Sequence, residues 1–179
     1  MKDANNLLNP PGPSSQEFSV LLEGALDGIR RYYVITVAWE NGLFDLTVTP
    51  KTSHDLAKAL GFQEVMTRMF CDALAELGLL TEKNGLYVNS PMASSYLSRS
   101  SPNYMVNTLQ NMKDKATHWM QLADILKDGP ITRERQKIFG DRWLISIAEW
   151  AATGSVANAV NVVKSHLDVQ GWRRLLDMG

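Results

Sequence analysis

The residues of this sequence that could carry out chemistry directly are three histidines and a single cysteine. His54, His118 and His166 lie far apart along the chain, and none has a partner at a spacing typical of metal ligands. We therefore expect surface or helix-end histidines and no metal site. Cys71 has apolar neighbours such as Phe70, which predicts a raised thiol pKa and an inert side chain.

A second group of candidate residues is apolar. Aromatic and methionine side chains in the later part of the chain could line a pocket for a flat apolar ligand, although packing in a core is the commoner role of such residues. These residues are Met105, Met112, Trp119, Phe139, Trp143 and Trp150.

The third candidate is the segment 172–179, which reads as a buried strand running into a glycine turn at Gly179. A parallel strand that enters such a turn normally continues into a helix whose N-terminus binds an anion or a nucleotide. Because that helix does not follow within the 179 residues, we expect them not to hold a nucleotide by themselves.

Charge and composition exclude several classes of protein. The 18 Lys and Arg residues are balanced by 19 Asp and Glu residues, so there is no basic excess to attract nucleic acid or anionic lipid. No apolar run approaches the roughly 20 residues that a bilayer requires. Cys71 has no second cysteine with which to form a disulfide. We expect a soluble, cytoplasmic protein.

The first half of the chain predicts helices followed by a hairpin. An N-terminal arm at residues 1–16 precedes a helix at 18–39 with two apolar stripes, although 32–39 alone could also be a buried strand. Thr52 caps a short helix that ends at Gly61, and a second helix follows at 64–77. Two strands then meet at the Asn84-Gly85 turn, giving the order of a winged helix.

In a winged helix, the helix at 64–77 would face DNA, but its charges argue against such binding. Its ionisable residues Glu64, Arg68, Asp72 and Glu76 carry a net negative charge, which repels phosphates. DNA binding would need basic groups from elsewhere, namely Arg30, Arg31, Arg133, Arg135 and Lys137.

The second half of the chain predicts more helices. Ser90-Pro91 and Ser101-Pro102 each pair a capping hydroxyl with a proline that suits a first helical position. The second of these helices should run to residue 128 with an apolar seam from Met105 to Leu126. Further helices should lie on either side of a break at 153–155. The seam and the helix at 18–39 expose more apolar surface than one compact domain covers, which predicts an intertwined two-fold homodimer.

The order of these elements, together with Leu-Leu-Asp-Met-Gly at 175–179, resembles the S-adenosylmethionine-dependent O-methyltransferases of the plant caffeate, hydroxyindole and bacterial antibiotic-pathway kind. The resemblance covers residues 18–179. The segments that carry it are 57–60, 74–80, 86–90 and the terminal strand.

This resemblance implies a mainly α fold. It consists of a winged-helix-like helical dimerisation domain with a small β-hairpin and ends in the first strand of a Rossmann-like domain. The rest of that Rossmann-like domain is absent from the 179 residues. The implied parts are a flexible arm (1–16), the dimerisation domain (17–100), helical linker and acceptor-pocket helices (101–170), and the first strand of an absent methyltransferase domain (171–179).

The resemblance also implies roles for particular residues. Trp119, Phe139, Trp143 and Ile147 would contact a small apolar or aromatic hydroxylated acceptor. Asp177 and Gly179 match the start of the glycine motif that holds S-adenosylmethionine in the full-length family. The remaining glycines, the acidic residue for the donor ribose and the catalytic base belong to the other half of the family enzyme.

We therefore expect the dimerisation and acceptor-binding portion of a small-molecule O-methyltransferase, truncated before the donor site, with no catalytic residue, no bound cofactor and no turnover of its own. The alternative is a winged-helix transcriptional regulator or a stand-alone dimeric binding module.

Overall fold

The computed structural model describes residue 12, residues 14–129 and residues 133–166, with side chains throughout these ranges except at 133–141 and 166. The chain divides into two compact units, residues 1–93 and residues 94–179. The elements of the first unit are α1 (Ser15–Glu40), α2 (Leu43–Leu46), β1 (Lys51–Thr52), α3 (Ser53–Leu60), α4 (Glu64–Glu76), β2 (Leu80–Lys83) and β3 (Leu86–Asn89).

Helix α1 begins at Ser15, where the Ser14 hydroxyl accepts a hydrogen bond from the Gln16 N–H at 3.2 Å. The helix continues without interruption through residues 32–39, so the alternative of a strand there is wrong. Thr36 and Trp39 are buried, whereas the helix is exposed almost throughout residues 15–31. The last two turns of α1 therefore pack in the unit, and the first half extends away from its core.

Helices α3 and α4 begin and end at the residues that the sequence indicates. The Thr52 hydroxyl accepts from the Asp55 N–H at 3.1 Å and caps α3, which ends at Gly61 with φ 70°. In α4 the side chain of Gln63 accepts from the Met66 N–H at 2.7 Å. Leu77 follows as the C-cap. These caps satisfy amide groups that have no partner within the helix, which confirms both predictions.

The hairpin of β2 and β3 is confirmed, and the sheet contains a strand that the sequence did not indicate. Asn84 and Gly85 have φ values of 55° and 76°, as a tight hairpin turn requires. The two-residue strand β1 also pairs with β3, antiparallel, with Lys51 opposite Tyr87. The sheet order is β1-β3-β2, which places β3 in the centre.

The core of the first unit lies between the end of α1, the short helices and β3. Its buried apolar residues are Ala38, Trp39, Leu43, Phe44, Leu56, Ala57, Cys71, Leu74, Leu79, Leu80, Tyr87 and Ala93.

A buried polar network ties β3 to α2. Asn89 is 8% exposed, and its side-chain amide donates to the Phe44 carbonyl at 2.7 Å. Its side-chain oxygen accepts from the Thr47 hydroxyl at 2.6 Å. The Asn89 N–H also donates to the Thr47 carbonyl at 2.8 Å. Asn89 therefore satisfies polar groups at the end of α2 that would otherwise be costly to bury.

Helix α5 (Pro91–Tyr96) begins in the first unit and ends in the second. The Ser90 hydroxyl caps it by accepting from the Ala93 N–H at 3.2 Å, as predicted. The other elements of the second unit are α6 (Val106–Met120), α7 (Leu122–Asp128), α8 (Arg133–Trp150), a π-helical segment (Ala151–Ser155) and α9 (Val156–His166).

Two boundaries in the second unit differ from the prediction. Ser101 does not start a helix: it accepts from the Asn103 N–H at 3.1 Å within a turn, and α6 begins at Val106. The predicted apolar seam from Met105 to Leu126 does not lie on one continuous helix, because Gln121 separates α6 from α7. The predicted end at Gly129 is confirmed, with φ 84°.

The predicted break after α8 is also confirmed. The π-helical segment contains Gly154, whose φ of 109° is not helical and favours glycine. Residues 1–11 and the terminal segment 171–179, with Asp177 and Gly179, lie outside the described residues. The strand and the donor motif therefore stay predictions.

The Asn89 network yields a prediction about stability. Asn89→Leu keeps the branched shape of the side chain, with a larger volume, and removes the donor to Phe44 and the acceptor for Thr47, so we expect the free energy of unfolding to fall by about 2–3 kcal/mol. Urea unfolding followed by tryptophan fluorescence measures this change. Thr81→Val, on the exposed side of β2, is the control and should change stability by less than about 0.5 kcal/mol. An equally small effect of Asn89→Leu would contradict the role of the network.

Candidate functional site

The predicted acceptor residues lie on α6 and α8. Trp143 and Ile147 stand one turn apart on α8 and are 49% and 43% exposed. Trp119 lies in the last turn of α6 and is 69% exposed. Phe139 is part of α8, but its side chain is outside the described set. Helical spacing thus brings Trp143 and Ile147 onto one face, while Trp119 belongs to a different helix.

The contact between α6 and α8 is polar. Glu149 accepts from the backbone N–H groups of Asn107 and Thr108 at 2.9 and 2.8 Å. Halfway along, the side-chain amide of Asn111 donates to the Ser146 hydroxyl at 3.3 Å. We call this contact, together with the Arg142–Asp114 ion pair at its other end, the polar seam.

The polar seam shows that α6 and α8 run antiparallel, because residues later in α6 meet residues earlier in α8. Its members recur at intervals of three or four residues: 107, 111 and 114 on α6, and 142, 146 and 149 on α8. The apolar spacing of these helices did not indicate this polar periodicity. The same spacing test, applied to polar residues, would have found it.

The consequence for α8 is that polar side chains face α6 while large apolar side chains stay exposed. The neighbouring stripe of α8 consists of Trp143, Ile147 and Trp150, and all three are exposed. Three large apolar side chains on one exposed face are typical of a surface that binds a ligand or another protein. This stripe is the candidate binding site of the second unit.

Glu149 occupies an unusual position at the start of α6. The N-cap residue Met105 offers no side-chain hydrogen bond, so the Glu149 carboxylate supplies the cap from 42 residues further along the chain. Burial alone would raise the pKa of Glu149, but hydrogen bonds from Asn107 and Thr108 outweigh this effect and hold the pKa below its ordinary value. The carboxylate also lies at the positive end of the helix dipole.

The side chains of His54, His118 and Cys71 are described, and they occupy the kinds of position predicted from the sequence. His54 is exposed on α3 and contacts Glu64 at 3.0 Å, and His118 lies in the last turn of α6. Cys71 is fully buried, and burial raises the pKa of its thiol to about 11. The thiol is therefore protonated at neutral pH and a poor nucleophile.

Tyr87 and Asp72 join the sheet to α4. The Tyr87 hydroxyl donates to the Asp72 carboxylate at 2.6 Å. Burial raises the pKa of Tyr87 strongly, and the hydrogen bond to Asp72 adds to the increase. The tyrosine therefore stays neutral and acts as a structural donor.

The exposed surface of α4 does not resemble a DNA-binding surface. Besides its acidic groups it presents Val65, Met66 and Met69, each more than half exposed. Arg30 and Arg31, considered above as alternative basic groups, pair with Glu23 and Asp27 on α1 itself. The side chains of residues 133–137 are not among those described.

Other kinds of site find little support in the described ranges. Within residues 14–129 and 133–166, no cluster of three or more His, Cys, Asp or Glu side chains could hold a metal ion. In that same part of the chain, no helix is both long and apolar enough to cross a membrane. A shallow depression of about 110 Å³ lies at the end of α7, beside Asp124 and Asp128, away from the exposed stripe of α8.

Comparisons with known proteins agree with this architecture. The family model that matches is the O-methyltransferase dimerisation domain, over residues 24–99. The 3-hydroxy-5-methyl-1-naphthoate 3-O-methyltransferase of Streptomyces sahachiroi is 27% identical over 175 residues, covering 93% of this chain and 50% of that protein.

Two solved structures are similar. An O-methyltransferase family protein from Burkholderia thailandensis is 25% identical with a TM-score of 0.62, covering 84% of this chain and 46% of that one. Human N-acetylserotonin methyltransferase, in complex with S-adenosylmethionine, is 25% identical with a TM-score of 0.55, covering 69% and 38%. This chain thus spans half or less of the length of each of these three relatives.

The fold is a mainly helical one with a small three-stranded antiparallel sheet, and it is shared with the N-terminal domains of O-methyltransferases. The part of the chain that matches the model of the O-methyltransferase dimerisation domain is residues 24–99. The resemblance inferred from the sequence is confirmed for this region. The roles of Trp119, Phe139, Trp143 and Ile147 at an acceptor, and of Asp177 and Gly179 at the donor, stay predictions.

The Glu149 cap yields a prediction about pH. Because the folded-state pKa of Glu149 is lowered, its contribution to stability is complete above the unfolded pKa and is lost as pH falls through the folded pKa. Glu149→Gln should therefore lower the free energy of unfolding by about 1 kcal/mol at pH 7, and the difference from wild type should shrink towards pH 3.

Urea unfolding at several pH values measures this difference. Glu76→Gln, at an exposed carboxylate on α4, is the matched control and should have little effect at any pH. A difference for Glu149→Gln that is constant down to pH 3 would show that the carboxylate charge does not stabilise α6.

Proposed function

We propose that these 179 residues form the homodimeric, acceptor-facing portion of a small-molecule O-methyltransferase and that they do not transfer a methyl group by themselves. The observation that carries the proposal is the first half of α1. It exposes an apolar stripe beside a region that matches a dimerisation family.

The case for a homodimer rests on the cost of leaving this helix in water. Phe18, Leu22 and Ile29 are 63%, 48% and 53% exposed and stand on one face at intervals of four and seven residues. A helix of this length is marginal without tertiary packing, and its apolar face needs a partner. A second copy of the chain supplies that partner, as the family match suggests.

Leu22→Asp should dissociate the dimer at micromolar concentration, because it places a charge in the centre of the exposed apolar stripe. Size-exclusion chromatography with light scattering gives the mass directly. Val48→Asp, at a half-exposed residue after α2, is the control and should leave a dimer. Wild-type protein that elutes as a clean monomer would contradict the homodimer.

The proposed acceptor surface is the exposed stripe of α8. The polar seam turns residues 142, 146 and 149 of α8 towards α6, so that Trp143 and Ile147 lie on the adjacent, exposed face. Together with Trp119 and Phe139, these residues offer flat apolar contacts suited to an aromatic ring. The relative from Streptomyces sahachiroi acts on a hydroxylated naphthoate, which supports an acceptor of the aromatic, hydroxylated class.

This surface can be tested by calorimetry with 3-hydroxy-2-naphthoate as the probe. We expect Trp143→Ala to weaken binding by about tenfold, as the loss of a central aromatic contact typically does. Leu144→Ala removes a neighbouring exposed side chain on a different stripe and should change affinity by less than about twofold. Equal affinities for wild type and Trp143→Ala would remove Trp143 from the acceptor site.

The role proposed for these residues in methyl transfer is to orient and enclose the acceptor. In such a reaction, a base deprotonates the acceptor hydroxyl, which attacks the methyl carbon of S-adenosylmethionine in line. The site must also be dry, and apolar walls achieve this. Trp143 and Ile147 would supply walls and no proton.

The proposal that the 179 residues do not bind the donor rests on their partial motif. Asp177 and Gly179 correspond only to the opening of the glycine motif, whereas a nucleoside needs the complete turn and the following helix N-terminus. The donor-bound relative is more than twice as long as the region it shares with this chain.

Titration calorimetry with S-adenosylmethionine should give no saturable heat with the 179-residue polypeptide. Human N-acetylserotonin methyltransferase, whose structure holds this donor, is the positive control. Saturable binding at micromolar donor would contradict the proposal and would place a donor site within these residues.

Nucleic acid and membranes are not part of the proposed function. The four charged groups of α4 sum to a negative charge, and its exposed face is otherwise apolar, which disfavours a phosphate backbone. We also propose a cytoplasmic location, since Cys71 is a free and buried thiol.

A further inference from the structure

The break between α8 and α9 lies at Gly154, within the π-helical segment Ala151–Ser155. Gly154 has φ 109° and ψ 0°, and the helix is kinked at this residue. A residue with a Cβ atom adopts this φ only with strain, whereas glycine adopts it freely. A Cβ atom added at Gly154 would meet nothing within 4 Å. The backbone conformation of the kink, and no crowding by neighbours, therefore accounts for the glycine.

The carbonyl groups at the kink receive hydrogen bonds from side chains of the segment itself. The Thr153 hydroxyl lies 3.0 Å from the Glu149 carbonyl oxygen and 3.1 Å from that of Trp150, and donates to this pair. The Ser155 hydroxyl donates to the Trp150 carbonyl at 2.8 Å. Carbonyl groups at a kink need such donors. Because the donors are local, these hydrogen bonds do not tie the kink to another element.

Packing differs between the two sides of the kink. Before it, Glu149 accepts from the N–H groups of Asn107 and Thr108, so the polar seam holds α8 to α6 as far as its last turn. After it, the residues from 156 to 165 are all exposed except Val163, which is partly exposed. No residue of the π-helical segment is buried. Tertiary contacts thus fix α8, whereas α9 is held mainly through the segment that joins them.

From these observations we propose that Gly154 is a hinge, about which α9 changes its angle as a helix while α8 stays fixed to α6. Hinges are short segments whose backbone absorbs large changes in φ and ψ, and glycine absorbs them without strain. The inference goes beyond the proposed function and does not depend on it. In sequence, Gly154 lies between the proposed acceptor residues Trp143 and Ile147 and the partial donor motif at 177–179.

Distances between two spin labels, measured by pulsed electron paramagnetic resonance, test this hinge. The hinge pair combines Leu144→Cys on α8 with Lys164→Cys on α9. The reference pair combines Lys115→Cys on α6 with Leu144→Cys and spans the polar seam instead. All three positions are exposed. Native Cys71 is buried and its thiol is protonated, so it does not take up the label. An excess of unlabelled chain ensures that the two labels of a pair belong to one chain.

Without further substitution, the distance distribution of the hinge pair should be at least about twofold wider than that of the reference pair. Gly154→Ala disfavours the kinked backbone without a clash, so α8 and α9 should approach one continuous helix. The hinge pair should then move towards about 30 Å, the length of 20 helical residues, and become as narrow as the reference pair. Gly24→Ala, at a glycine of α1 with open space around it, is the matched control and should change neither distribution.

Three outcomes would overturn the hinge. A hinge pair as narrow as the reference pair in the chain that retains Gly154 would show that the kink is rigid. A wide distribution that persists in Gly154→Ala would place the mobility elsewhere, such as in unwinding of α9. Equally wide distributions for both pairs would show that the polar seam does not hold α8 to α6.

Removal of the two hydroxyl groups gives a second measurement. Thr153→Val with Ser155→Ala withdraws the donors to the carbonyl groups at the kink, so the kinked form should lose population to the straight one. The hinge pair should shift towards about 30 Å, as in Gly154→Ala. Thr117→Val, which removes a hydroxyl that donates to a carbonyl within α6, is the control and should leave the hinge pair unchanged. No shift in the double variant would contradict an equilibrium between kinked and straight forms.

Discussion

The arrangement of this protein depends on one constraint: apolar side chains at helical spacing must be removed from water, and a single copy does not bury all of them. The last two turns of α1 satisfy the constraint within the first unit, where Ala38 and Trp39 are buried. The first half of the same helix does not, since Phe18 and Leu22 remain exposed. One helix therefore contributes both to the core of its own unit and to the exposed stripe at which we propose the homodimer.

The second unit also leaves apolar side chains exposed, for a different reason. Helices α6 and α8 contact each other through polar groups, so the large apolar side chains of α8 stay exposed instead of packing against α6. Hydrogen bonds and an ion pair have stricter geometry than apolar contacts, so such a seam fixes the rotation and register of the two helices. Trp143 and Ile147 are thereby held on one face, as the acceptor surface that we propose requires.

The two capping arrangements of the molecule show how local and distant groups share the same task. Helix α3 is capped by Thr52, which directly precedes it, whereas α6 is capped by Glu149, far along the chain. A local cap stabilises a helix independently of the fold. A distant cap stabilises the helix only when both elements are in place, so Glu149 makes the start of α6 depend on the position of α8.

The sequence by itself determined the features that depend on a few neighbouring residues. The Thr52 cap, the Gly61 stop and the Asn84-Gly85 turn were predicted correctly, because backbone dihedral preferences and capping hydrogen bonds act within about four residues. Combined with the order of elements, these local signals also led to the resemblance that the match to the O-methyltransferase dimerisation domain at residues 24–99 supports.

Only the tertiary structure decided which polar groups meet across long separations. Ser101 has the same Ser-Pro pattern as Ser90 but forms a turn, and nothing local distinguishes the two. The strand β1 exists because β3 is beside it, and the polar seam joins residues 28 to 42 positions apart. Such contacts depend on how whole helices pack, and the free energy of that packing is not encoded in any short window of the sequence.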